Sequence, residues 1–258
     1  MLLDVASHDR PLRTLMRTVV AAIRSFVTYV VILLYIVLIG PVALALARLF
    51  KSKRLMYQVG HGGVGLALRL AGIRYRVVGR ENVPNRAVVY CSNHESNVDP
   101  AVLFQGLDPM LHVLYKAELH KVPLMGMAFD IGGFVAVDRA DRRKSFASVD
   151  TAVVSLGQGN SFLIFPEGTR SRTGELLPFK KGGFIMALQA QVPIVPVAVS
   201  GGRASMRKGS AIVRPVKVTV RLGAPIATAG LSVDDRDAVI ERVRTAVQRL
   251  LDQGSAWN

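Results

Sequence analysis

Residues 26–47, FVTYVVILLYIVLIGPVALALA, are 22 consecutive positions without one charged side chain. A run of that length is about what a single helix needs to cross the hydrocarbon core of a bilayer, roughly 20 residues. Buried helices of soluble proteins seldom go so long without a polar face, and a cleaved signal peptide has a shorter apolar stretch nearer the first residue. The chain therefore reads as a membrane-associated helical segment over residues 1–70, with the folded body in residues 71–258. Gly40-Pro41 falls inside the run, where proline removes a helical N–H and crowds the preceding turn. A kink there, or a break into two short helices, is expected.

Arg10, Arg13, Arg17 and Arg24 precede the run, and Arg48, Lys51, Lys53 and Arg54 follow it. A single crossing helix usually concentrates Lys and Arg on its cytoplasmic side, and neither flank is favoured here. That balance favours a monotopic arrangement, entering and leaving by the cytoplasmic face. The whole chain has 33 Lys and Arg against 18 Asp and Glu, a surplus of 15. Such a surplus suits an anionic partner, either nucleic acid or an acidic lipid surface. Aromatic residues make up only 7%, and no basic run is interleaved with stacking rings, so no nucleic-acid partner is expected. One cysteine excludes an internal disulfide.

Beyond the apolar segment the hydrophobic period changes. Strands are expected at residues 74–78, 87–91, 111–115, 133–137, 162–165, 194–199 and 216–222. Helical stripes lie between and after them: Phe146, Val149, Val153 and Leu156, then Val239, Val243, Ala246 and Leu250. Strands alternating with helices predict an α/β domain with a mostly parallel sheet flanked by helices. Polar clusters follow five of the strands, at residues 92–99, 116–118, 138–139, 166–170 and 200–203. Open α/β sheets bind ligands outside the carboxyl ends of their strands, so these clusters could assemble one site.

The first cluster, VYCSNHESNVDP, holds His94 and Asp99. A carboxylate bonded to one ring nitrogen fixes the histidine tautomer and makes the other nitrogen a base for a hydroxyl proton. Asp99-Pro100 also reads as a helix cap and first helical residue, which would leave His94 a turn residue. Cys91 invites a thiol-nucleophile reading, but a free cysteine closing an apolar strand is more often a small buried hydrophobe. HExxH, CxxC and other close His/Cys pairs are absent from the sequence, so no metal site is expected. In the second cluster, FPEGTRSRTG, backbone amides, Thr169 and the Arg170 guanidinium suit a phosphate. A solvated turn with a structural Glu167–Arg170 pair is the alternative. Lys116 and Arg139 could extend a positive pocket or be ordinary surface charges.

Taken together, Asn93-His94-x-Ser96-x-x-Asp99, GGFVAVDR at 132–139, FPEGTRS at 165–171 and VPIVPV at 192–197 resemble four ordered blocks of the glycerolipid acyltransferase family. Its best-known members acylate 1-acylglycerol-3-phosphate (lysophosphatidic acid). The resemblance covers about residues 73–222, and an N-terminal membrane segment is usual in the family. It implies a single acyltransferase domain making phosphatidic acid from an acyl-CoA or acyl carrier protein thioester, with no other cofactor. His94 would be the base and Asp99 its orienting partner. Arg170, with Lys116 and Arg139, would hold the acceptor phosphate, and Glu167, Gly168 and Thr169 would form that loop. Glycerol-3-phosphate or another lysolipid stays open as acceptor. A non-catalytic lipid-binding protein is a further alternative, against which the intact His94/Asp99 pair argues.

Overall fold

A computed structural model describes residues 5–138, 141–206 and 209–257. Two helices come first, α1 (Val5–Leu49) and α2 (Lys53–Ala71). Here one expectation is corrected: α1 runs without interruption through Gly40 and Pro41, so the apolar run is not two helices. Tertiary packing outweighs the hydrogen bond that Pro41 forfeits, because Ala43, Leu44 and Ala47 are buried and Gly40 lies beside the Leu124 side chain. The chain reverses instead at residues 50–52, where Lys51 has a φ of 49° and the Ser52 hydroxyl accepts from the Leu55 N–H to start α2. Returning along α1, α2 is tied to it by the Tyr35 hydroxyl on the Val59 carbonyl and the Arg24 guanidinium on the Leu70 carbonyl. The approach is close enough that a Cβ at Gly63 would lie 2.8 Å from the Tyr35 ring.

The other face of α1 is bare. Phe26, Leu33, Leu38 and Leu49 are 69, 61, 63 and 72% exposed. Thr14–Leu49 has a mean hydropathy of 2.9 over its most apolar window, of which only 17% is buried. A soluble core helix would be covered; an uncovered apolar ribbon of this length suits a lipid surface.

Beyond α2 the chain alternates β1 (Arg74–Val78), β2 (Val89–Ser92), α3 (Asp99–Gly106), β3 (His112–Lys116), α4 (Met125–Gly132), β4 (Val135–Val137), α5 (Arg142–Gly157), β5 (Phe162–Ile164), α6 (Gly182–Gln189), β6 (Ile194–Ser200), β7 (Lys217–Leu222) and α7 (Arg236–Asp252). Among the described residues the strands form one sheet in the order β1-β7-β6-β2-β5-β3-β4. Strands β2 to β6 are parallel, while β7 is antiparallel to β6 and carries β1 parallel to itself. The sheet is mostly parallel, as the alternation of elements predicts, with an edge pair running the other way.

Strand β2 sits near the middle, and the period of two splits its neighbourhood into two cores. Val88 and Tyr90 face α2 and α3, joining Leu68, Val102 and Leu103. Val89 and Cys91 face α5, α6 and α7, joining Leu156, Phe184, Val239 and Val243. Sheets covered on both faces are what parallel strands require. In α7 the buried stripe is Val239, Val243 and Val247, with the expected Ala246 only half-buried. The branched side chain offers more apolar area to the core than a methyl group does.

Candidate active site

The apolar ladder of β2 ends because Asn93 replaces backbone pairing with its side chain. Its amide donates to the Val199 carbonyl at 2.9 Å and its oxygen accepts the Val199 N–H at 2.7 Å. The next residues turn up over the carboxyl end of the sheet. Asp99 is not the cap expected of it: it is the first residue of α3, and its side chain turns back instead of capping. One oxygen, Oδ2, accepts the His94 Nδ1–H at 2.9 Å and the N–H groups of Glu95 and Ser96, each at 2.7 Å. The carboxylate is fully buried. Three donors on one oxygen hold both it and the loop it pulls around itself. A carboxylate can only accept, so Nδ1 carries the hydrogen and Nε2 is left as the basic nitrogen.

Three further contacts hold His94 from outside its own loop. The Glu167 carboxylate accepts the His94 N–H at 2.8 Å through Oε1 and the Leu177 N–H at 3.0 Å through Oε2. The Ser171 N–H donates to the His94 carbonyl at 2.8 Å. The Phe165 ring lies 4.3 Å from the imidazole, centroid to centroid. Glu167 is thus a brace joining the two clusters, and burial pushes its carboxyl above the usual range, partly offset by its two N–H donors. Gly168 has a φ of 68°, which suits glycine, and a Cβ there would also strike the Lys180 ammonium at 2.6 Å.

Glu95, Ser96 and the segment after β6 complete the enclosure; the sequence put the 200–203 cluster at the site end of the sheet but gave none of these residues an individual role. Glu95 Oε1 accepts the N–H groups of Gly202 and Arg203 at 2.8 and 3.2 Å. Burial, then the nearby Asp99 charge, raise its carboxyl above the normal range. The Ser96 and Ser205 hydroxyls meet at 2.9 Å, both buried. Gly202 lies against the second oxygen of Asp99, where a Cβ would come within 2.8 Å. The signal for this region was the polar cluster at residues 200–203; its pairing with Glu95 joins segments over 100 residues apart, beyond any local pattern.

Next to the loop that carries His94 opens a cleft of about 450 Å³ lined by Glu95, Thr169, Arg170, Arg172 and Arg203. Thr169 is exposed and Arg170 half-buried there, while Arg203 donates to the Thr173 carbonyl across the mouth. The chemistry available is a base next to a cation-lined hollow. Lys116 stands elsewhere, at the end of β3 with β5 between it and β2, paired with Glu118 at 3.0 Å on the surface. Arg139 lies outside the described residues. Cys91 points into the core, fully buried, and burial raises its thiol well above the normal range. That is the opposite of what a nucleophilic thiol needs.

A buried carboxylate, an oriented histidine and a basic hollow at the carboxyl end of an α/β sheet, in a chain that also carries an uncovered apolar helix, are the parts of a membrane-associated enzyme acting on a polar substrate. Comparison with known proteins makes the class specific. Residues 74–200 match the acyltransferase family model. The chain is 36% identical over 231 residues to a 1-acyl-sn-glycerol-3-phosphate acyltransferase of Limnanthes douglasii, covering 88% of this chain and 82% of that one. It is 33% identical to the Saccharomyces cerevisiae protein of the same name, over 68% of this chain and 59% of that one. Its fold is similar to the crystal structure of the 1-acyl-sn-glycerophosphate (LPA) acyltransferase of Thermotoga maritima. That likeness has a TM-score of 0.81 and 25% identity, over 94% of this chain and 99% of that one. The chain belongs to the glycerolipid acyltransferase family.

Proposed function

We propose that this acyltransferase moves a fatty acyl group from an acyl-CoA or acyl carrier protein thioester to the 2-hydroxyl of 1-acyl-sn-glycerol-3-phosphate, giving phosphatidic acid. The observation that carries this reading is the His94 imidazole, held by a buried Asp99 at 2.9 Å, on the loop whose next residue, Glu95, lines the Arg170 cleft. Nε2 of His94 takes the hydroxyl proton as that oxygen attacks the thioester carbonyl. The carbon–sulfur bond then breaks, and the leaving thiolate recovers the proton from the imidazolium. Asp99 holds the tautomer at the start and offsets the imidazolium charge in between. A thioester has a good leaving group, so positioning and a single general base suffice. Arg170 binds the acceptor phosphate; Arg139 is the second candidate for it, while Lys116, paired with Glu118 two strands from β2, adds only a weak long-range field. Glu167, Gly168 and Thr169 keep the loop in shape.

The reading also keeps α1 on one leaflet. Ser25 and Tyr29 of α1 bond to Val213 and Ala211 of the folded body, and Gly40 lies on Leu124. A helix in contact with one domain at both ends of its apolar run supports monotopic attachment at the cytoplasmic face, where a single-chain lipid can slide sideways into the cleft. The test of function is product formation by the purified protein with a panel of lyso-acceptors and acyl donors. Phosphatidic acid from lysophosphatidic acid is expected to dominate; preference for a phosphate-free acceptor would overturn the assignment. The test of attachment places cysteines at Ser7 and Ser255 in a Cys91→Ser background. Labelling of the Ser7 position from the far side of the membrane would sink the monotopic arrangement.

A further inference from the structure

A second basic cleft opens at the same end of the sheet. Because β1 and β7 run against β2, their amino ends, Arg74 and Lys217, lie at the end that carries His94. Gly201 packs on the Lys217 carbonyl and Gly202 on Asp99, so two adjacent residues separate this cleft from the site described above. Arg24 of α1, Arg69 in the last turn of α2, Arg74 and Lys217 line an open hollow of about 540 Å³.

Four cations facing one hollow repel each other unless something anionic joins them. The ion pairs among the described residues all involve other side chains. The fold nonetheless fixes two of the four. Arg24 is held through Nε and Nη2, which donate to the Leu70 carbonyl at 3.1 and 3.0 Å. Lys217 sits over the Trp257 ring, 5.3 Å from its centroid, and the indole N–H is tied to the Val218 carbonyl at 3.1 Å. Positioned cations, one of them over a polar-tipped aromatic ring, make an anion site suited to a water–lipid boundary.

The surroundings select the kind of anion. On α1, Ile23 and Phe26 flank Arg24 and are 59 and 69% exposed, and the uncharged run begins at Phe26. A ligand here meets charge on one side and bare hydrocarbon surface on the other. We propose that this cleft binds the phosphate headgroup of an anionic membrane phospholipid, whose acyl chains lie along the exposed face of α1. The lipid would hold the α1–α2 hairpin against β1 and β7 and set the height of the catalytic cleft above the membrane. The site stands whichever acceptor His94 serves, and it is separate from the phosphate pocket assigned to Arg170.

Trp257 is the single tryptophan of the chain and, through its contact with Lys217, reports on this cleft. The full-length protein in neutral-detergent micelles is titrated with phosphatidylglycerol brominated near the headgroup, and separately with phosphatidylcholine brominated at the same position. Saturable quenching of Trp257 by the anionic lipid, well beyond that by the zwitterionic one, is expected. Added salt should weaken only the anionic arm. Arg69→Gln/Arg74→Gln, which leaves Arg24 and Lys217 to their structural contacts, should raise the half-quenching concentration of phosphatidylglycerol roughly tenfold or more. Equal quenching by the two lipids, absence of a salt effect, or an unchanged titration in a variant that melts like the parent would each overturn the proposal. Displacement of the anionic lipid by free coenzyme A would also overturn it and give the cleft to the acyl donor's phosphates.

Discussion

The loops after β2 and β3 leave the sheet at the same end, and each sets a basic side chain near a carboxylate, His94 with Asp99 and Lys116 with Glu118. Only the first pair is built into anything. Asp99 is fully buried and takes three donors on one oxygen, and its loop is roofed by residues 165–177 and 199–206. Lys116, ending β3, and Glu118, on the 3₁₀ turn that follows (Ala117–Lys121), sit 3.0 Å apart and 59 and 61% exposed. A strand end thus supplies a location, while burial and backbone donors supply a geometry. The first pair has lost its conformational freedom on folding, whereas the second keeps most of it and is screened by water.

That difference predicts a graded series of losses. His94→Ala should lower kcat the most, by about 10²–10⁴-fold, in a protein that still melts cooperatively. Asp99→Asn comes next: the amide oxygen can keep all three donors, but the charge that offsets the imidazolium is gone, so kcat falls. Its NH2 takes the buried place of Oδ1, which has no hydrogen-bond partner among the described residues, so about 1–3 kcal/mol of stability is lost as well. Near-normal turnover in either folded variant would remove the base mechanism. Gly202→Ala inserts a methyl group 2.8 Å from Asp99 Oδ1 and should cost about 1–3 kcal/mol of stability by overpacking, with a clear loss of kcat. Gly182→Ala, where a Cβ meets nothing within 4 Å, is the control and should do neither.

The cations should separate in the same way, with smaller effects. Arg170→Lys keeps the charge but not the two-pronged hydrogen bonding, and should raise KM for lysophosphatidic acid about tenfold with little change for the acyl donor. Equal rises in both constants would make Arg170 structural, or a ligand of the donor. Lys116→Ala should be the mildest change, raising the acceptor KM by less than about threefold, because an exposed pair is worth only ~0–1 kcal/mol. A larger effect at Lys116 than at Arg170 would reverse the ranking of the two loops.

Much of this was legible in residue order. The strand and helix periods, the uncharged run and the four ordered blocks depend on neighbours within a few positions, and a single chain displays those in full. They bring out β1 to β7, the His94/Asp99 pair and the Arg170 loop. Other features depend on which distant backbones approach one another, and these only the folded chain decides. Pro41 stays helical because buried side chains hold the turn after it. Asp99 faces backward to Glu95 and Ser96 instead of capping α3, because their N–H groups bind its carboxylate and the missing side chain at Gly202 leaves room for it. Glu95, unremarkable in its motif, becomes a clamp through amides 107 and 108 residues away. The basic cleft exists because β7 turns antiparallel to β6, which carries Arg74 and Lys217 to the end of the sheet where α1 and α2 bring Arg24 and Arg69. Local chemistry marked out the candidate reacting groups, and long-range backbone contact determined what holds them and what lies beside them.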